Sequence, residues 1–135
     1  FVKGVWETGE RVVLDNFPEL CVIKAMGEGF SWETQDRQRD IQAAENAWQM
    51  AKDMMDDESF DLIILDELNI PLRYDNLDID AVVKTLRDKR ERLHVVVTGR
   101  NAKEPLLEAA DLVTEMTMVK HPFRAGVKAQ KGIEF

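Results

Sequence analysis

Cysteine is almost absent: Cys21 is the only one in 135 residues, which excludes an internal disulfide and any thiolate-rich zinc site. Such a chain suits a reducing cytoplasm, with Cys21 read as a small buried apolar residue. Histidine is scarce too. His94 and His121 are remote from each other and from cysteine in sequence, which argues against a transition-metal site. Long apolar runs are lacking: Leu62 to Leu65 and Val95 to Val97 fall far short of the roughly 20 residues that span a membrane. No signal peptide is visible. Positive charge is in deficit, because 18 Lys and Arg face 26 Asp and Glu for a formal charge of −8. That balance repels a phosphate backbone over most of the surface, so nucleic acid is not an expected partner.

What is present is 44% hydrophobic residues in a chain the length of one ordinary domain, enough for a single packed core. One domain is expected over residues 1–135, without repeat, low-complexity tract or linker. The chain opens on Phe1, and Phe1-Val2-Lys3 reads as the tail of a strand, so further residues are expected upstream.

Short apolar runs recur at Leu20 to Met26, Leu62 to Leu65, Leu93 to Val97 and Leu112 to Val119. They suit strands covered on both faces. Between the first two, Ile41, Ala44, Trp48, Ala51 and Met55 follow spacings of three and four, the stripe of a core-facing helix. Asp78 is placed to cap a second helix with Ile79, Val82, Val83 and Leu86 on its buried face. Pro105 in a first turn, followed by Leu106, Leu107 and Ala110, marks a third. Strands alternating with helices predict βαβ crossovers and a mostly parallel sheet flanked by helices.

Asp61-Leu62-Ile63-Ile64-Leu65-Asp66-Glu67 is an apolar strand ending in two carboxylates, the pattern of a Walker B strand. Ligands of open α/β sheets bind beyond the carboxyl ends of strands, where Asp66 and Glu67 can hold Mg²⁺ against a polyphosphate. Alternatively, both residues simply begin the next helix, whose N-terminal dipole favours carboxylates. Val95-Val96-Val97-Thr98-Gly99-Arg100 ends in the same way with different chemistry. Thr98 is a hydroxyl donor, Gly99 admits a close backbone approach, and Arg100 presents a fork matched to phosphate oxygens; the competing reading is a glycine turn with a solvated arginine. Gly27 to Thr34 places Phe30 and Trp32 on glycine-rich backbone, either as hydrophobic plugs or as a wall for a large flat ligand. Lys120, His121, Arg124, Lys128 and Lys131 form a basic C-terminal cluster, read as a solvated tail.

Together these segments resemble the P-loop-type ATP:corrinoid adenosyltransferases. The resemblance rests on Phe1-Val2-Lys3-Gly4 with Trp6, Thr8-Gly9-Glu10-Arg11, Gly29-Phe30-Ser31-Trp32-Glu33-Thr34 and Val119-Lys120-His121-Pro122-Phe123. Leu65-Asp66-Glu67-Leu68, Val97-Thr98-Gly99-Arg100 and Ala125-Gly126-Val127-Lys128-Ala129-Gln130 strengthen it, in the family's order and spacing throughout.

The resemblance implies a RecA-like P-loop α/β fold, usually homodimeric, that binds ATP, Mg²⁺ (or Mn²⁺) and a corrinoid such as cobalamin. It also implies attack of Co(I) on the ribose 5′ carbon with triphosphate leaving, chemistry that needs positioning and shielding instead of a protein nucleophile. By position, Asp66 and Glu67 match metal-associated carboxylates. Phe30 and Trp32 match aromatics that approach the lower face of the corrin, excluding water and the lower axial ligand so that Co(II) is easier to reduce. The family's glycine-rich phosphate loop is not among these residues and is expected upstream of Phe1. Residues 1–135 thus correspond to the C-terminal two-thirds of the family domain and are expected to be inactive alone. The competing functions are a generic P-loop ATPase and a non-enzymatic corrinoid escort.

Overall fold

The computed structural model describes residues 1, 9–26 and 37–129. They form a mixed α/β structure in the order α1 (Gly9–Leu14), α2 (Arg37–Asp56), β1 (Leu62–Leu65), α3 (Asn69–Arg73), α4 (Ile79–Arg87), β2 (His94–Val97) and α5 (Glu104–Ala109), then a 3-10 helix at Pro122–Ala125. Two compact units are present among the described residues. One comprises residues 1, 25–26 and 37–111, and the other residues 9–24 and 112–129.

The first unit holds the core. The expected stripe forms α2, where Ala44, Trp48, Ala51 and Met55 are buried and Ile41 is half-buried. Each large side chain removed from water there stabilises the fold by about 1.5–3 kcal/mol. The same cluster takes in Ile63 and Leu65 of β1, Leu68, Leu72, Val82, Val83, Leu93 and Leu106. Asp78 caps α4 as expected, its carboxylate accepting from the Asp80 and Ala81 amides at 2.9 and 3.4 Å. In α5, Pro105 lies in the first turn, Leu106 is buried and Leu107 half-buried; Ala110, expected on the same helix, is its exposed C-cap.

β1 and β2 pair in parallel, in the register Leu62–His94, Ile63–Val95, Ile64–Val96 and Leu65–Val97. Ile63 and Leu65 point into the core, whereas Leu62, Ile64 and Val96 stay exposed at 51%, 60% and 44%. The expectation of strands covered on both faces therefore holds on one face among the described residues.

Two expected strands do not form among the described residues. Leu20 to Met26 and Leu112 to Val119 carry no ladder, and Leu20, Leu112, Met116 and Val119 are over four-fifths exposed. A strand needs a neighbour about 4.8 Å away to accept its hydrogen bonds, and no described residue supplies one to either segment.

In the second unit, α1 ends with the Asn16 side chain donating to the Val12 and Val13 carbonyls at 2.8 and 3.2 Å. The basic segment is exposed as expected from Lys120 to Lys128, and within it His121 starts the 3-10 helix, its Nδ1 accepting from the Phe123 amide at 3.1 Å. Gly126, at φ 77°, closes that helix in the left-handed conformation that glycine adopts most cheaply. No helix among the described residues is long and apolar enough to cross a membrane.

The joint between α2 and β1 is built on Arg90, just upstream of β2. Its Nε donates to the Met55 carbonyl at 2.8 Å, and one terminal nitrogen donates to the Asp57 and Phe60 carbonyls at 2.8 and 2.9 Å. It thereby satisfies a carbonyl of the last helical turn, which has no partner within the helix. Within the joint, the Ser59 amide donates to the Asp57 carboxylate at 2.8 Å, and this bond, with one from the Ser59 side chain, holds the Asp57 carboxyl below its ordinary value. Arg90→Ala is expected to lower the unfolding free energy by about 2–4 kcal/mol, because three carbonyls lose a charged donor. Arg90→Lys should restore only a minor part, since an ammonium lacks the planar fork. Urea unfolding measures both; an unchanged midpoint for Arg90→Ala would mean that water replaces the guanidinium at no cost.

Candidate functional site

Parallel pairing carries both strand-end motifs to the same edge of the sheet. The Thr98 amide continues the ladder by donating to the Leu65 carbonyl at 3.2 Å, so the chain beyond β1 and the chain beyond β2 leave side by side. There the Thr98 hydroxyl, at the end of β2, makes two hydrogen bonds to the segment beyond β1. It donates to Asp66 Oδ1 at 2.8 Å and accepts from the Glu67 amide at 3.0 Å.

Asp66 is exposed, and Thr98 fixes one of its oxygens. Glu67 is half-buried and takes φ 60°, a left-handed conformation that costs a residue with a Cβ roughly 1–2 kcal/mol. Its Oε2 is buried without a hydrogen-bond partner among the described residues. The two carboxylates do not begin a helix: they form the turn after β1, and α3 starts only at Asn69. The alternative reading of this motif, as a simple helix N-terminus, is thereby set aside for these residues.

On the neighbouring segment Gly99 has φ 127° and Asn101 φ 58°, so Arg100 stands exposed between two residues of positive φ. Gly99 is required twice over. Its backbone conformation is one that L side chains rarely adopt, and a Cβ there would lie 2.8 Å from the Cβ of Asn69. Strained backbone concentrated where two strand ends meet is a frequent property of binding sites.

Asn69 is the residue that the motifs did not reveal. It is 5% exposed, its Nδ2 donates to the Gly99 carbonyl at 3.0 Å, and its amide donates to the Thr98 carbonyl at 3.4 Å. Its Oδ1 is the second buried acceptor without a partner among the described residues. A polar residue directly after Leu68 was the one available signal, and it carries no indication of a partner 30 residues away.

Asp66, Glu67, Thr98, Gly99 and Arg100 are thus brought together, while Phe30 and Trp32 lie outside the described residues. Among the described residues no three or more His, Cys, Asp or Glu gather as a metal-holding group. Magnesium does not need one, since it is commonly held by one or two carboxylates, water and the phosphates of a ligand. The exposed Asp66 carboxylate and the orphaned Glu67 oxygen are hard donors of the right kind for such an ion.

Thr98→Val should cost about 1–3 kcal/mol in chemical denaturation, because the Glu67 amide is left without its acceptor. Thr98→Ser keeps the hydroxyl and should stay within about 1 kcal/mol of the parent. A valine variant as stable as the parent would show that the hydroxyl bridge contributes nothing.

Comparison with known proteins identifies the family of the chain. The family described as ATP:corrinoid adenosyltransferase BtuR/CobO/CobP matches residues 1–135. A corrinoid adenosyltransferase of Sinorhizobium sp is 53% identical over the whole chain, and one of Pseudomonas aeruginosa is 52% identical. One of Escherichia coli K12 is 43% identical, again over the whole chain. The chain spans 64%, 66% and 68% of the lengths of these three relatives. With a match along its full length and two strand-end motifs meeting at one sheet edge, the chain belongs to the ATP:corrinoid adenosyltransferase BtuR/CobO/CobP family.

Proposed function

We propose that these residues are part of a nucleotide- and corrinoid-binding domain that transfers the 5′-deoxyadenosyl group of ATP to the cobalt of a corrinoid. The observation that carries the reading is the meeting of Asp66 and Glu67 with Thr98, Gly99 and Arg100 at one edge of a parallel sheet. A metal-binding carboxylate pair and a phosphate-matched guanidinium are together what a triphosphate requires.

In this reading Arg100 takes up triphosphate oxygens through its fork of donors. Asp66 and Glu67 face the metal side of the same group, with Thr98 holding Asp66 in orientation. Magnesium (or Mn²⁺), when bound, supplies positive charge that neutralises the polyphosphate. Phe30 and Trp32 are assigned to the lower face of the corrin on the family resemblance, where they exclude water and the axial ligand.

The substrate supplies the nucleophile: the electron pair of Co(I) forms the cobalt–carbon bond as the C5′–oxygen bond breaks, and triphosphate leaves with that bond's electrons. The protein therefore contributes positioning and screening, without a covalent intermediate of its own. Family membership supports a RecA-like arrangement of the sheet, a phosphate loop supplied by the intact polypeptide, a homodimer and a cytoplasmic setting.

The deciding experiment is an anaerobic assay of the intact polypeptide with MgATP and reduced cobalamin, following adenosylcobalamin by absorbance and triphosphate by chromatography. Equal amounts of both are expected. Corrinoid binding without turnover would indicate an escort, and inorganic phosphate as product a generic ATPase. Trp32→Ala in the same protein should slow adenosylation from Co(II) more than from chemically supplied Co(I). Equal losses from both would remove the role in reduction.

A further inference from the structure

The Arg100 turn lacks an obvious means of holding its own shape. Gly99 and Asn101, on either side of the arginine, occupy positive φ, and Gly99, Arg100 and Asn101 are exposed. An arginine on such a turn keeps a defined direction only if something outside the turn anchors the main chain.

Asn69 supplies that anchor from the first position of α3. Its side chain and main chain donate to two successive carbonyls, those of Gly99 and Thr98. Contact is close enough that a Cβ on Gly99 would meet both the Cβ of Asn69, at 2.8 Å, and its Cγ, at 3.4 Å. The amide is also nine-tenths buried, so water cannot readily replace it as donor. Its orientation follows from the donor bond to Gly99, which leaves Oδ1 as the unpaired end.

We propose that Asn69 is a positioning residue for polyphosphate binding. By holding the Thr98 and Gly99 carbonyls it sets the direction in which Arg100 leaves the sheet edge, without touching the ligand itself. The inference rests on the reading that Arg100 meets the triphosphate, and it adds a residue outside the strand-end motifs.

The test is a double-mutant cycle in the intact polypeptide, reading calorimetric dissociation constants for magnesium tripolyphosphate and MgATP, with thermal unfolding followed alongside. Arg100→Ala should weaken tripolyphosphate about tenfold, the scale of one lost charge-assisted contact. Asn69→Leu, which keeps the branching of the side chain but is bulkier and lacks the donor, should weaken it by a comparable factor. If Asn69 acts through Arg100, the double variant binds no more weakly than Arg100→Ala alone, within about twofold. A purely structural asparagine would instead give losses that multiply, and that result overturns the inference, as does Arg100→Ala without effect. Should Asn69→Leu fail to fold, Asn69→Ser, whose hydroxyl falls short of the Gly99 carbonyl, enters the same cycle under the same criterion. Non-additive binding without adenosyl transfer would remove the proposed reaction and leave the positioning role. Multiplying losses with transfer intact would do the reverse.

Discussion

Parallel pairing between Leu62–Leu65 and His94–Val97 is the constraint on which the rest depends. An antiparallel pair would send the two motifs to opposite ends of the sheet. Parallel strands deliver both to one edge, and the intervening α3 and α4 supply the crossover that such a connection needs. The ladder then runs on past β2, because the Thr98 amide still reaches the Leu65 carbonyl. The Thr98 hydroxyl consequently arrives between Asp66 and the Glu67 amide without any further device.

The cost of this arrangement falls on the backbone. Glu67, Gly99 and Asn101 all take positive φ within the two adjoining turns, and one of the three is a glutamate, a residue with little tolerance for it. Buried Leu68 and Asn69 sit immediately behind these turns and over-determine them. Two side-chain oxygens, a carboxylate oxygen of Glu67 and the amide oxygen of Asn69, remain buried without a donor among the described residues. A fold tends to tolerate such atoms where a ligand or ion can complete them. The two turns are thus held by buried neighbours, a preorganisation that would reduce the ordering that binding at the proposed site must supply.

Much of this was legible from residue patterns, and the limits have physical causes. The α2 stripe of Ala44, Trp48, Ala51 and Met55 and the Asp78 cap are local signals, set by residues within a few positions of one another. The strand ends at Asp66 and Thr98 were visible because an apolar run stopped at polar residues. Leu20 to Met26 and Leu112 to Val119 read equally well as strands, yet strand formation depends on a neighbour that apolarity does not specify. Arg90 and Asn69 were invisible for a different reason. Each acts on main-chain carbonyls about 30 residues away, and a carbonyl leaves no mark on the amino-acid alphabet. The left-handed turn at Glu67 was hidden as well, since glycine or asparagine is the residue that normally announces one.

The Arg90 joint has a consequence for strand alignment. Arg90 grips the segment entering β1 from a position just before β2, and Thr98 grips the segment leaving β1 from a position just after it. The two strands are fastened at both extremities, like a ribbon pinned at each end. Sliding one strand by a single residue would turn Ile63 and Leu65 outward and bring Leu62 and Ile64 in, a swap between two sets of similar hydrophobicity that burial alone would resist only weakly. It would also have to break both fastenings together, so polar clasps outside the sheet, more than the greasy faces within it, keep this short ladder in step.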